Sequence, residues 1–282
     1  IDVLPSVNYT YSLNTKTNLR ASYYRTLARP EFRELSLGTF FDYEMIANLQ
    51  GNPNLKRALI DNADLRLEFY PSAGQILSIS GFYKKFTNAI ESFNSDATST
   101  RTITYFNSKD VNVYGLEFEI RKSLNFIADN DFLKNTTVYT NFSLIKSEVD
   151  NGDTGLNLID QTRPMVGQAP YVINAGLQHS FLENKLSFNA LYNKVGRRLL
   201  IASGAIFPSV WDVPRDIVDL QLSLKVLKTK GELKFNAGDI LNQATTMYYD
   251  IDNNKKYDRN IDQTLSSFKF GSNYSLSFAY TF

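Results

Sequence analysis

The sequence predicts an all-β protein, an antiparallel transmembrane β-barrel wall of about eleven strands. Three observations carry that prediction: a period-2 alternation of apolar and polar residues that recurs along the chain, charge confined to one side of each alternation, and connections that are short and long by turns. Composition fits. The 282 residues hold 30 Lys and Arg against 29 Asp and Glu, a net charge of +1 that gives no electrostatic footprint for nucleic acid. Cysteine is absent, which removes disulfide frameworks, thiolate metal sites and Cys nucleophiles. No stretch approaches the roughly 18 consecutive apolar residues of a membrane helix, but a membrane strand turns only every second side chain to lipid and escapes averaged hydropathy. The 20 Phe and 17 Tyr beside a single Trp suit such a wall.

Taken in order, Val7, Tyr9 and Tyr11 open the series, and Leu19, Ala21 and Tyr23 follow. Ala63, Leu65, Leu67 and Phe69 then alternate with Asp64, Arg66 and Glu68, and Leu77, Ile79 and Tyr83 make the next strand. Across 102–124 the phase slips, because Val111 and Val113 do not share a register with Leu116, Phe118 and Ile120. One long strand with a bulge near Gly115 is expected there. Val138, Thr140, Phe142 and Leu144 come next, followed by Tyr171, Ile173, Ala175 and Leu177, and by Leu186, Phe188, Ala190 and Tyr192. Val218, Leu220, Leu222, Leu224 and Val226 interleave with Asp219, Gln221, Ser223 and Lys225, and Leu233, Phe235 and Ala237 lead toward the last strand. In that strand Phe268, Phe270, Tyr274, Leu276, Phe278, Tyr280 and Phe282 share one face, with Ser272 its only polar member. Charge on one face alone is what a wall between lipid and water requires, since a cation at mid-bilayer costs about 2–4 kcal/mol.

The connections orient this wall. Turns at 14–17, 71–74, 183–185 and 228–231 are tight, and the longer link at 125–133 falls on the same end. Loops at 30–59, 91–101, 150–168, 201–214 and 248–263 fall on the other. Short turns are expected in the periplasm and long loops at the cell surface, where loops of this length carry function. The first strand then descends from the surface, whereas a bacterial single-chain barrel is entered from the periplasm and has an even strand count. The expectation is a chain whose wall continues upstream with a comparable number of strands.

Several segments carry a family resemblance. Leu27-Ala28-Arg29-Pro30-Glu31-Phe32-Arg33-Glu34-Leu35 is followed by Gly51-Asn52-Pro53-Asn54-Leu55-Lys56, and later come Gly81-Phe82-Tyr83-Lys84-Lys85-Phe86, Val113-Tyr114-Gly115-Leu116-Glu117 and Asp239-Ile240-Leu241-Asn242-Gln243. In this order and spacing the chain resembles the C-terminal half of a TonB-dependent receptor. It departs from the usual Lys-Pro-Glu continuation with Lys56-Arg57-Ala58. The resemblance implies that residues 1–282 are the second half of a plugged barrel of about 22 strands, with the plug, the TonB box and the first half of the barrel not in this sequence. It also implies import of a bulky ligand such as a siderophore, glycan, peptide or vitamin across the outer membrane. Implied partners are outer-membrane lipid, the TonB–ExbB–ExbD energy-transducing complex, the barrel-assembly machinery and a surface lipoprotein lid, with the C-terminus in the periplasm. Tyr280 and Phe282 resemble the C-terminal signal read by that machinery. The alternative is a non-transporting structural or secretion-associated barrel that keeps the receptor architecture.

Residues with chemical potential are few, and they form no catalytic constellation and imply no cofactor. Phe32, Phe40, Phe41 and Tyr43, with Met45, crowd one loop and Trp211 stands in another, so these aromatics are candidate ligand contacts, the alternative being that they pack loop against loop. Asp250, Asp252, Asn254 and Asp258 are spaced like a calcium loop, but Lys255 replaces its glycine and Ile261 its bidentate glutamate, which favours a solvated surface loop. His179, the only histidine, falls in the lipid-facing register near the turn end, an interfacial position unsuited to a hydrolase base. Glu117 and Glu119, with Arg121, share the other face and read as a charge ladder.

Overall fold

The structure is a computed structural model that describes residues 2–95, 100–128, 130–151 and 163–282. β1 (Ser6–Asn14) and β2 (Thr17–Ala28) form the first wall hairpin, and β3 (Thr39–Asp42) with β4 (Ala47–Gln50) form a small hairpin in the connection that follows. β5 (Ala58–Phe69), β6 (Ile76–Ser95), β7 (Thr102–Ser123), β8 (Thr136–Asp150), β9 (Tyr171–Phe181) and β10 (Leu186–Val195) continue the wall. β11 (Leu199–Ile201) and β12 (Val210–Asp212) belong to the next long connection, β13 (Asp216–Val226) and β14 (Gly231–Gly238) return to the wall, and β15 (Thr245–Tyr249) with β16 (Gln263–Phe268) leave it again. β17 (Asn273–Tyr280) is the last wall strand.

The wall strands lie in the order β1-β2-β5-β6-β7-β8-β9-β10-β13-β14-β17, an eleven-stranded antiparallel meander that matches the period-2 reading. Within the described residues β1 pairs only with β2 and β17 only with β14, so the wall is an arc of a barrel, open at both edges. Short connections gather at one end and long ones at the other, as the sequence predicts.

Pairing aligns the apolar positions into continuous rows. One runs Tyr9, Ala21, Leu65, Gly81, Leu116, Leu144, Tyr171 across seven strands. A second fixes the tilt. It runs Leu19, Leu67, Ile79, Phe118, Phe142, Ile173 and then Lys194, where charge replaces the apolar series. On the same face of β2 charge first appears at Arg25, six residues beyond Leu19, and β10 is six strands from β2. The polar boundary therefore shifts by about one residue per strand, the stagger that keeps a membrane boundary level on tilted strands.

The bulge expected near Gly115 is not there. Gly115 pairs with Phe82 and Ile145 in unshifted registers, and the one gap in the β6–β7 ladder, at Asn88 (left-handed φ of 58°) opposite Lys109, leaves the register unchanged. Gly115 has a different purpose: the Phe82 ring lies over it, 2.8 Å from where a Cβ would stand. Val111 and Val113 leave the lipid-facing register because they are buried on the polar face, in a cluster with Ala89 and Val149 that Met165 covers.

His179 lies at the turn end as expected. Its ring packs 4.4 Å from Phe132 and 4.1 Å from Phe181, and Nδ1 is 2.6 Å from the Thr136 hydroxyl.

Candidate functional site

The loop end is built differently from the wall. β11, β12, β15 and β16 form a second sheet in that order, and it carries a core of its own: Leu199, Ala202, Trp211 and Tyr248 pack with Phe93 and Phe106 from the tips of β6 and β7. Ile201, Val210 and Met247 pack with Ala47 and Ile103 in a second cluster. Backbone bonds tie the parts together. Asn94 N donates to Ala202 O at 3.0 Å, Ala202 N donates to Ser92 O at 3.1 Å, and β4 pairs with β7 at Asn48 and Leu49. Connections that leave the wall between β2 and β5, β10 and β13, and β14 and β17 thus meet, with the tips of β6 and β7, in one roof.

Residues 163–170 join this roof to the polar face. Arg163 forms a two-pronged pair with Glu91 at 2.9 and 3.0 Å, both side chains essentially inaccessible. Glu91 also accepts from Val166 N at 2.8 Å and from the Ser108 hydroxyl, so the carboxylate is fully occupied. A buried pair holds only when its remaining lone pairs are met in this way. Met165 N donates to Ser147 Oγ at 2.8 Å and Gly167 N to Leu199 O at 2.7 Å. Of the loops expected at 91–101 and 150–168, residues 96–99 and 152–162 lie outside the described residues.

The expected aromatic contacts separate into two groups. Phe32 (95% exposed) and Tyr43 (85%) face solvent, and Phe40 and Phe41 are about half exposed at 47% and 49%. Phe41 and Tyr43 meet edge to face at 5.1 Å, and the Arg33 guanidinium lies 5.5 Å from the Phe40 ring. Their hairpin is two-sided, since Ala47, Met45 and Leu49 enter the roof core. Trp211 is different. At 2% exposed it is part of that core, with Arg197 4.9 Å above its ring, so the expected exposed contact at Trp211 is corrected to a packing role. The reason is topological: β12 is flanked by β11 and β15, and all three of its residues are buried.

The calcium-like spacing folds into a loop that holds itself. Asp250, Asp252 and Asp262 bring carboxylate oxygens within 4.8 Å of one another, and Asp262 was not among the residues the spacing suggested. Asp250 accepts from Asn254 N at 3.1 Å and Lys255 N at 2.9 Å, while Asp262 accepts from Ile251 N at 3.1 Å and Asp258 N at 2.7 Å. Asn254 donates its side-chain amide to Asp252 at 2.6 Å, whereas the Asp258 side chain accepts from Asn260 N at 2.9 Å and is not one of the three clustered carboxylates. Burial, reinforced by Asp262 and Asp252, pushes the Asp250 carboxyl above the ordinary carboxylate range.

Under the roof the polar face changes character along the sheet. From β2 to β7 it is charged: Arg20 and Arg66 meet Glu68 at 2.8 and 2.9 Å, and Arg66 reaches Glu119 at 2.5 Å. Arg20, Arg66, Asp64 and Glu117 line a groove of ≈ 380 Å³ there. From β8 to β17 it is mostly an amide ladder, with Asn193 to Asn174 at 2.7 Å, Tyr139 OH to Asn189 at 2.8 Å, Gln221 to Asn236 at 2.7 Å and Asn236 to Ser275 at 3.1 Å. Asn189, Gln221, Asn236 and Asn273 line a groove of ≈ 360 Å³.

Comparison with known proteins agrees with this architecture. Residues 1–275 match the outer membrane protein β-barrel family. A mutant of the ferric enterobactin receptor PfeA from Pseudomonas aeruginosa, solved with enterobactin, superposes with a TM-score of 0.62 at 18% identity, over 99% of this chain and 40% of that one. The siderophore receptor PirA from Acinetobacter baumannii gives 0.60 at 15%, over 99% and 41%. The copper transporter OprC gives 0.66 at 13%, over 98% and 39%. At these identities the likeness is one of fold, and the chain spans about two fifths of the length of each. No curated protein matches the sequence.

Proposed function

The chain belongs to the outer membrane protein β-barrel family, and from that premise we propose that it supplies part of the wall and surface roof of a TonB-dependent receptor importing a bulky ligand. The observation that carries this reading is the pairing of a polar, grooved inner face with loops locked into a roof over its end. A wall that served only as a structural element has no need of loops converging on its mouth.

In this reading the loop end is the cell surface, and the turn end, with the C-terminus, is periplasmic. Phe32, Phe40, Phe41 and Tyr43 then offer the ligand, or a lipoprotein lid, large contact area at low entropic cost. The TonB–ExbB–ExbD complex acts through an N-terminal region outside this sequence. Tyr280 and Phe282, whose rings meet at 5.2 Å, address the chain to the barrel-assembly machinery.

The test is growth of a deletion strain supplied in turn with ferric siderophores, copper, a vitamin or an oligosaccharide as the limiting nutrient. One of these should fail to support growth until the intact gene is returned, and Phe40→Ala with Phe41→Ala should weaken the rescue at unchanged barrel yield. Full growth of the deletion strain on every nutrient would favour a barrel without transport. Removing Phe282 should lower the amount of assembled protein in the outer membrane.

A further inference from the structure

The loop between β15 and β16 gathers negative charge at its base. Asp250 and Asp262 follow directly on the paired residues Tyr249 and Gln263, and Asp252 joins them, so that oxygens of all three carboxylates lie within 4.8 Å of one another. Oxygens that share one calcium ion each lie about 2.3–2.6 Å from it and so stand no more than about 5 Å apart. Asp250 is 3% exposed and Asp262 6%, whereas Asp252 is open to solvent and leaves a way in.

The charge is not balanced from within. Lys255, Lys256 and Arg259 belong to the same loop, yet among the described residues no cation forms an ion pair with Asp250, Asp252 or Asp262. The loop meets these carboxylates with N–H groups instead. Each of their six oxygens accepts one hydrogen bond, Asp252 from Asn254 N at 3.2 Å and from the Asn254 side-chain amide at 2.6 Å, Asp250 and Asp262 from the backbone donors named above. A carboxylate has about four lone-pair sites, so each keeps about two for a further partner. Lys255 stands where a calcium loop has its glycine, and it takes the left-handed φ of 62° that glycine supplies there.

An independent group faces the same point. Tyr248 precedes Asp250 by one two-residue strand period, and its partner Thr264 follows Asp262 by the same step, so the tyrosine rises on their side of the hairpin. Its side chain is wholly buried, with the Tyr257 ring 4.8 Å away, and its hydroxyl has no hydrogen-bond partner. Burial pushes that hydroxyl above its ordinary range against the pull of Arg197, and the charges of Asp250 and Asp262 add to the rise. A buried donor left unpaired is costly, and a water carried by an ion at the carboxylates would satisfy it.

We propose that Asp250, Asp252 and Asp262 hold a calcium ion that fastens the base of this loop to the roof, with Tyr248 donating to a water on the ion. Oxygen donors alone select a hard cation, and the chain has no Cys and its single His at the turn end. The third carboxylate comes from the return of the chain at Asp262, in place of the Asp258 that the sequence spacing suggests.

The test uses the full-length protein purified in detergent and stripped of divalent ions with EDTA. Calcium alone is titrated while the heat of binding is recorded, and hydrogen exchange of the 250–262 amides is compared with and without it. The unaltered protein should bind saturably, and these amides should exchange more slowly once it does. Asp252→Asn and Asp262→Asn should each weaken the affinity by roughly tenfold or more, and Tyr248→Phe by a smaller factor. Asp258→Asn, in the same loop but outside the three, should bind as the unaltered protein does. If Asp262→Asn does not assemble, Asp252→Asn, at the exposed position, decides alone. Calcium carried by lipid or bound elsewhere on the protein survives these variants. Equal affinity in Asp252→Asn and Asp262→Asn, or no saturable binding by the unaltered protein, therefore overturns the proposal.

Discussion

Leu222 in the wall and Leu199 in the roof are the same residue with opposite surroundings. Leu222 keeps 42% of its surface open on the lipid face, whereas Leu199 has none. The wall turns its apolar residues outward and is held by an antiparallel ladder, so its stability depends on the lipid around it. The roof buries its apolar residues as a globular protein does and depends on packing and one sealed ion pair. One chain therefore contains two regions that answer to different solvents, and changes in one should leave the other standing.

The largest effect expected of that separation comes from Glu91→Ala. It strands the Arg163 guanidinium in a site with no exposure, which costs about 3–5 kcal/mol. Limited proteolysis and hydrogen exchange should find the roof opened while the strand signal of the wall persists; loss of both would merge the two regions into one unit. Leu222→Lys probes the other side. A cation placed on the lipid face costs about 2–4 kcal/mol near mid-bilayer, so assembly in bilayers should fall, with little change in protection of the roof amides.

A smaller effect sharpens the account of the wall itself. The Tyr139 ring lies across Gly176 in the space a Cβ would fill, and its hydroxyl reaches Asn189. Gly176→Ala should cost about 1–3 kcal/mol by overpacking, read as a lower unfolding temperature. Unchanged stability would mean that the ring moves aside freely.

The smallest effect is one of pH. The Asp250 carboxyl titrates above its unfolded value, so between the two values the folded loop holds more protons than the unfolded chain. Stability of the 250–262 loop should therefore rise as pH falls through the raised value, then level off at the ordinary carboxylate value. Exchange of amides in that loop, compared with Asp250→Asn, measures it, and the variant should lose the dependence.

Much of the wall is legible because a strand states its two faces locally. Leu186, Phe188 and Ala190 against Ser187 and Asn189 need no knowledge of any other strand. Gly115 misled because a glycine amid a phase slip looks like a bulge, and only the neighbouring strand shows Phe82 lying over it. Trp211 misled in the same way, since a lone aromatic in a long connection gives no sign that β11 and β15 will flank it. Asp262 was missed because its partners are set by the return of the chain, not by the spacing after Asp250.

By itself, then, the sequence determined the alternation, the sidedness of charge and the order of turns and loops, because each is a property of residues a few positions apart. Only the tertiary structure decided which loops meet and that Glu91 and Arg163 seal against each other. Those contacts join residues dozens of positions apart, and their positions follow from strand tilt and register, quantities that exist only once the strands have paired.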